Sequence, residues 1–477
     1  MNDTDQPLGV AAMTAAFARA ELSPVEVARA ALDRIERYDG ELNAFCLVDP
    51  DSALADARAS EARWRSGTAL GPVDGVPTAI KDLLLTRGWP TLRGSRTVSP
   101  DQPWDVDAPA VARLRENGAV LLGKTTTPEF GWKGVTDNPL TGITRNPWSV
   151  DRTSGGSSGG SAVAVATEMA ALSVGTDGGG SIRIPAGFTG TVGLKPTYGR
   201  VPIYPSSPFG TLAHAGPMTR TVSDAAILLD VIAGPDSRDW SSLPPPERSY
   251  AQASSQGVTG LRIAYSPTLG YASVDPEVAA AVAEAVLVLQ QLGAEVEQID
   301  PGFDDPVRAF EVLWFSGAAK LTETLTHDQR ERLDPGLLEV CQEGARMSAS
   351  DYLEATAERV ALGVTMGRFH ERYDLLVTPA LPLPAFEAGL ESPAAHPEAQ
   401  AEAQPGSRRW TRWTPFSYPF NLTQQPAISV PCGRTSDGLP IGLQIVGPRH
   451  ADGRVLSAAA AYEMSHSPGY SAPPLTK

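Results

Sequence analysis

The sequence predicts an α/β layered fold, and three observations carry that prediction. Capped helical segments alternate with short apolar strands, one strand–helix–strand unit can be traced from its punctuation alone, and two glycine-rich turns bracket a single apolar segment. The last of these is where such folds hold their chemistry, at the turn between strand and helix.

The elements follow in chain order. Ser23-Pro24-Val25-Glu26 combines a capping box with proline at the first helical position, so a helix runs over about 24–38, and Gly40 supplies its stop. A short apolar run ends at Lys81. After Gly160, SAVAVATEMAAL reads as a mostly buried helix, and Ser173–Thr176 as a strand feeding the second glycine turn. Leu261–Tyr265 is a strand, Asp275-Pro276 opens a helix that Gly293 closes, and Ala294–Ile299 returns as a strand. From Ala385 to Pro415 the composition turns to Ala, Glu, Pro and Arg, which predicts a long surface loop over 386–415 that can serve as an active-site lid. No internal repeat interrupts this order.

Composition narrows the function. With 477 residues, 42% hydrophobic and 20% charged, the chain is globular, and 45 Gly with 42 Pro signal many loops. A formal charge of −16 argues against nucleic acid as the ligand, because binding a polyanion relies on Lys and Arg at the phosphates. Cys46, Cys341 and Cys432 lie far apart without metal-type or disulfide-type spacing. Neither a signal peptide nor a membrane-length apolar run is visible, so a cytoplasmic protein without a membrane partner is expected.

The stretch from Thr153 to Pro185, TSGGSSGGSAVAVATEMAALSVGTDGGGSIRIP, sets Ser157 and Ser181 in two separate glycine-rich turns. Glycine lets main-chain N–H groups approach a ligand closely, so two turns that each carry a hydroxyl suit an anionic centre. A serine needs a neighbour to take its proton. The Ser-His-Asp reading fails on context: Gly155-Gly156-Ser157-Ser158-Gly159 fits G-x-S-x-G, but RNPWSVDRTS precedes it where the elbow needs a hydrophobic strand. His214 is the best placed histidine, yet LAHAGPMT reads as a loop, and His327, His370, His396, His450 and His466 read as structural or surface residues. Lysine is then the natural base, provided that it is neutral. Val73, Val76, Ile80, Leu83, Leu84 and Leu85 crowd Lys81, and desolvation of that kind disfavours the ammonium. Phosphate-loop, dinucleotide, HExxH and EF-hand patterns are absent.

These segments closely resemble the amidase signature family. The likeness rests on PVDGVPTAIKD around Lys81, DAPAVARLRENGAVLLGKTTTPEFGW at 107–132, RNPWSVDRTSGGSSGGSAVAVA at 145–166, SVGTDGGGSIRIPAGFTGTVGLKPTYGRV at 173–201, and NLTQQPAISVPCG with GLPIGLQIVG at 421–447. The resemblance implies an α/β/α sandwich around a central mixed, mostly parallel twisted sheet: a helical segment over 1–70 packed on a core of 71–477, one domain overall. It further implies a Ser–cis-Ser–Lys triad, with Ser181 as nucleophile, Ser157 as bridge and Lys81 as base. The N–H groups of Gly178, Gly179, Gly180 and Ser181 would form an oxyanion hole, and Ser158 would orient the network. Ser157 and Ser181 keep the family's 24-residue spacing. Many relatives carry DTGGS where this chain has Asp177-Gly178-Gly179-Gly180-Ser181, so no side chain stands at Gly178. Asp177 and Arg183 flank the turn and are expected to pair or hold the backbone, with substrate binding by Arg183 as the lesser reading.

By the same resemblance the chain cleaves amide C–N bonds through an acyl-enzyme, without cofactor or metal, on a small-molecule amide or carbamate, with esters as a further class. Phe130, Trp132, Tyr204, Phe209, Trp410, Trp413 and Phe416 are the nominated rim of the substrate pocket, an aromatic set suited to aryl or apolar groups, each equally readable as core. The rival reading is the glutaminase component of a tRNA-dependent amidotransferase, which shares these motifs and works within a complex. Assembly as a homodimer is compatible with either.

Overall fold

The alternating segments assemble around one 11-stranded sheet in this computed structural model, which describes residues 8–393, 409–465 and 472–476. Along the chain the strands are Phe45–Val48 (β1), Pro77–Lys81 (β2), Val120–Thr125 (β3), Asp137–Asn138 (β4), Gly142–Ile143 (β5), Arg145–Asn146 (β6), Ser149–Thr153 (β7), Leu172–Asp177 (β8), Val192–Lys195 (β9), His214–Thr219 (β10), Arg262–Tyr265 (β11), Glu295–Gln298 (β12), Leu375–Pro379 (β13), Ala427–Arg434 (β14) and Pro440–Val446 (β15). β4–β5 and β6–β7 are separate ribbons, and the others lie in the order β1-β3-β2-β8-β10-β9-β14-β15-β13-β11-β12.

The α/β class holds, and the sheet is mixed, but it is not mostly parallel. Parallel pairing is confined to β3–β2–β8 and to β13–β11–β12. The pairs between these runs, from β8–β10 through β15–β13, are all antiparallel, as is β1–β3 at the edge. Antiparallel neighbours need only short connections, and β14 and β15 are joined by the turn around Gly438.

Helices cover both faces. On one side Pro109–Glu116, Val222–Ile232, Pro276–Gln291 and Asp452–Ser465 bury aliphatic residues against the sheet; Pro276–Gln291 contributes Val278, Val282, Ala285, Val286 and Leu289, a helical stripe. On the other, Val307–Thr322, Pro335–Gly344 and Ala349–Arg372 enclose an aromatic cluster with Phe310, Trp314, Phe315, Trp410, Trp413 and Phe416. Within the first seventy residues, helices Pro24–Leu42 and Pro50–Ser66 pack together, and β1 from the same stretch extends the sheet.

Two local expectations shift. The capping box of Ser23 and Glu26 forms as read, but the helix runs to Leu42, past Gly40, and stops at Asn43 in the left-handed conformation (φ 53°). Glycine inside a helix costs about 1 kcal/mol, which the complete burial of Leu42 offsets. The apolar helix after the first glycine turn is only Gly159–Ala166; Glu168 turns the chain at φ 58°, and Ala171 N–H donates to Pro77 O, starting β8 beside β2. Sheet capture thus wins over helical propensity in EMAAL.

The stretch expected as a surface loop over 386–415 has buried ends. Phe386 meets Trp413 edge to face at 5.0 Å, and Trp413 Nε1 donates to Glu391 O at 2.9 Å. Residues 394–408 of that stretch lie outside the described residues.

Candidate active site

β2 and β8 run parallel with Ile80 opposite Val174, so their carboxyl ends deliver Lys81 and Thr176 to the same edge of the sheet. The glycine turn before Gly159–Ala166 brings Ser157 and Ser158 to that edge. Lys81 Nζ lies 2.7 Å from Ser157 Oγ, 2.8 Å from Ser158 Oγ and 2.9 Å from Thr176 Oγ1. The peptide between Gly156 and Ser157 is cis. Ser158 Oγ donates to Thr176 O at 3.1 Å, and Ser158 N–H donates to Ser181 O at 3.1 Å, which ties the two turns together.

Burial holds the Lys81 pKa well below 10.5, the charge of Asp177 opposing the shift only partly. No carboxylate forms an ion pair with this amine among the described residues, so desolvation is not repaid by a direct partner. Two other lysines are fully buried, and the contrast is informative. Lys124 pairs with Asp82 at 3.1 Å and bonds Leu84 O and Thr91 Oγ1, while Lys195 donates to the carbonyls of Gln425 and Pro196. Of the three, Lys81 alone meets serine hydroxyls.

Behind the second turn, Arg183 grips Asp177 through two bonds, Nε to Oδ2 at 2.9 Å and Nη2 to Oδ1 at 3.0 Å. Its remaining donors reach Ser417 O, Gln444 Oε1 and Asn421 Oδ1. Burial would raise the Asp177 carboxyl, but Arg183, Lys195 and Asn421 outweigh it and hold it below the usual carboxylate range. Arg183 is fully buried with its donors engaged, so the lesser reading, substrate binding by Arg183, is not supported; it clamps the turn. Arg183→Met leaves a buried carboxylate unpaired and is expected to cost about 3–5 kcal/mol, read as a lower urea midpoint at pH 7. An unchanged midpoint would contradict the clamp.

Asp177 also decides which turn amides are free. Its Oδ1 accepts the Gly180 N–H at 2.7 Å, so Gly180 is not an available oxyanion donor, contrary to expectation. The N–H groups of Gly178, Gly179 and Ser181 have no partner among the described residues. All three glycines of the turn are sterically required. Gly180 sits at φ 122°, and a Cβ there would fall 2.6 Å from Ser417 Cβ; a Cβ at Gly178 would fall 2.6 Å from the Trp314 ring. The missing side chain at Gly178 is thus replaced in space by Trp314.

A pocket of about 760 Å³, counting its open mouth, faces these groups. Ser157, Thr176, Gly178, Ser181 and His214 line its floor, and Leu83, Leu84, Ile203, Phe130, Tyr204, Phe209, Trp314 and Leu321 its walls. The nominated aromatics therefore divide. Phe130, Tyr204 and Phe209 reach the pocket, whereas Trp132, Trp410, Trp413 and Phe416 are core residues off its wall. Trp410 still acts at one remove, since a Cβ at Gly179 would meet its ring at 2.7 Å. Trp314, missed in the sequence, stacks on Phe209 at 3.7 Å between centroids. Nothing in its local sequence, VLWFSG, points to a site more than a hundred residues upstream.

His214 is not the loop residue expected: it opens β10, directly opposite Asp177. Its Nδ1 contacts two carbonyl oxygens, Leu212 O at 2.8 Å and Asp177 O at 3.2 Å, so Nδ1 carries the proton. Burial keeps the ring neutral, and Nε2 bonds neither serine.

A mixed α/β sheet whose edge presents serine hydroxyls, a buried lysine amine and free amides to an apolar pocket defines a hydrolytic enzyme. The chain belongs to the amidase family, whose model matches residues 26–456, and it is an amide-hydrolysing enzyme. It is 39% identical to an acylamidase of Rhodococcus erythropolis over 96% of this chain and 95% of that one. It is also 37% identical to a glutamyl-tRNA(Gln) amidotransferase component of Myxococcus xanthus, covering 95% and 96%. Among solved structures, a bacterial aryl acylamidase of the amidase signature family superimposes with a TM-score of 0.89 at 32% identity, covering 98% of each chain. No helix among the described residues is long and apolar enough to cross a membrane.

Proposed function

We propose that Ser181 is the nucleophile, Ser157 the bridge and Lys81 the base of an amidase acting on aryl or apolar acyl amides. The observation that carries this reading is the 2.7 Å contact between a fully buried, carboxylate-free Lys81 amine and Ser157 Oγ, on the floor shared with Ser181. Ser158 has committed its own proton to Thr176 O, so it accepts from the amine; if Thr176 Oγ1 accepts as well, the nitrogen lone pair is left facing Ser157.

The steps follow from that orientation. The Ser181 oxygen forms a bond to the substrate carbonyl carbon as its proton passes to Ser157 and the Ser157 proton passes to Lys81. The carbonyl oxygen, now negative, is held by the free N–H groups around Gly178, Gly179 and Ser181, each such donor being worth about 3 kcal/mol of barrier. Lys81 returns a proton through Ser157 to the leaving nitrogen, the C–N bond breaks, and water enters by the same relay to release the acid.

The walls argue for the substrate. Phe130, Tyr204, Phe209 and Trp314 offer flat apolar contact, and Arg93 is the one cationic residue among those lining the pocket. Acylamidase relatives agree with that lining. Carbamates and esters present the same carbonyl and are expected as secondary substrates. A panel of anilides, aliphatic amides, carbamates, esters and glutamine tests the reading: anilides should give the highest kcat/KM, and a ranking led by glutamine would instead favour the amidotransferase reading. Trp314→Leu should lower kcat/KM on anilides about tenfold, the scale of one aromatic contact, while leaving small aliphatic amides nearly unchanged.

A further inference from the structure

The helix Ala349–Arg372 buries Ala355, Leu362, Met366 and Phe369 against the aromatic half of the core. Between Leu353 and Gly367 its opposite side does not carry the polar residues expected of a solvated face, and the same line continues at either end into the exposed polar residues Ser350 and Glu371. Leu353, Ala357, Val360, Val364 and Gly367 fall at alternating spacings of four and three, a heptad seam, and all five are exposed. Leu353 is 67% accessible, Val360 62% and Val364 49%. Scattered apolar residues on a surface need no explanation, but a seam with coiled-coil periodicity is a pattern that packs against another helix.

The charges beside the seam say which helix. Glu354 and Arg368 lie on one flank, seven residues to either side of Ala361, and all three are exposed. Neither charged residue forms an ion pair among the described residues. If the same helix from a second molecule lies antiparallel with the two-fold axis at Ala361, Glu354 of each copy comes opposite Arg368 of the other, about 21 Å along the axis between the two pairs. Like flanks meet in antiparallel packing, so the complementarity occurs twice. At the crossing stand Ala357 and Ala361, whose small size permits close approach, with Val360 between them. A parallel arrangement would instead bring this flank against the opposite flank of the partner, where Glu354 and Arg368 do not meet.

We propose that this face is a self-association surface, on which the helix Ala349–Arg372 of a second copy of the chain packs antiparallel about Ala361 to form a two-fold dimer. Such an arrangement is isologous, with one patch serving both copies. It involves no residue of the candidate site.

Sedimentation equilibrium on the full chain, from roughly 1 to 100 µM, tests it, since a single-helix interface is small and populates both states in that span. The wild type should approach twice the monomer mass at the upper end. Glu354→Arg and Arg368→Glu should each raise the dissociation constant about tenfold or more by creating two like-charge contacts, and the double substitution should restore it to within about threefold. Val360→Glu should leave a monomer. Circular dichroism and anilide hydrolysis should be unchanged in every variant, so loss of the dimer is distinguishable from misfolding and from failure of the catalytic proposal. A wild type that stays monomeric throughout, a dimer indifferent to Val360→Glu, or a double variant that is not rescued would each overturn the proposal; in the first case the seam serves another partner or none.

Discussion

Ser181→Ala is expected to reduce anilide hydrolysis by about 10⁴- to 10⁶-fold, the loss that accompanies removal of a nucleophile from a relay acting as a unit. What remains would come from the pocket and the turn amides, which bind and polarise the carbonyl without attacking it. The protein should nonetheless fold normally. Ser181 is 5% exposed and its hydroxyl makes no hydrogen bond among the described residues, so truncation orphans no partner and should change stability by under about 1 kcal/mol. The backbone contact that matters, Ser181 O with Ser158 N–H, is untouched. Covalent labelling by a fluorophosphonate should disappear with the hydroxyl. Hydrolysis above a few per cent of wild type would remove Ser181 from the proposed role.

Lys81→Met should be nearly as damaging, lowering kcat by about 10³-fold or more, because in the proposed relay Ser157 loses the group that takes its proton. Methionine keeps the length and apolar stem, so the buried volume stays filled. The pH profile gives the sharper test. In the proposed relay the amine acts when deprotonated, and burial has moved its pKa well below 10.5, so kcat/KM in the wild type should rise with pH and level off before that value. A flat profile from about pH 5 to 9 would count against a lysine base. Stability follows the same displacement with a determinate sign. The unfolded chain protonates this lysine below 10.5 while the folded chain resists, so the unfolded state binds the extra proton and wild-type stability rises with pH over that interval. Lys81→Met removes the contribution, so the variant's stability advantage should widen as the solution is made more acidic, down to the folded pKa.

Much of this was legible in the amino-acid order. The capping box at Ser23 and Glu26, the unit from Arg262 to Gln298, the two glycine turns and the apolar setting of Lys81 are all written within a few residues of where they act. Each depends on backbone sterics or on desolvation by near neighbours. Reading failed where a choice was made by something distant. Gly40 did not stop its helix because Leu42 is buried by the core, and EMAAL did not continue its helix because β2 offered a sheet edge. Trp132, Trp410, Trp413 and Phe416 looked like Phe130 in sequence but lie off the pocket wall, since an aromatic residue serves core and pocket equally well and only packing tells them apart.

The sequence by itself determined the α/β class, the family, and which lysine and serines could meet. Tertiary structure alone decided the antiparallel centre of the sheet, the engagement of the Gly180 amide by Asp177, the place of Trp314 beside Gly178 and the burial of Lys81 without a carboxylate in ion-pair contact. The physical reason is one of range: turn conformation and capping are short-range constraints carried by neighbouring residues, whereas the electrostatics and shape of a pocket are sums over side chains that only the packed sheet brings within a few ångströms of one another.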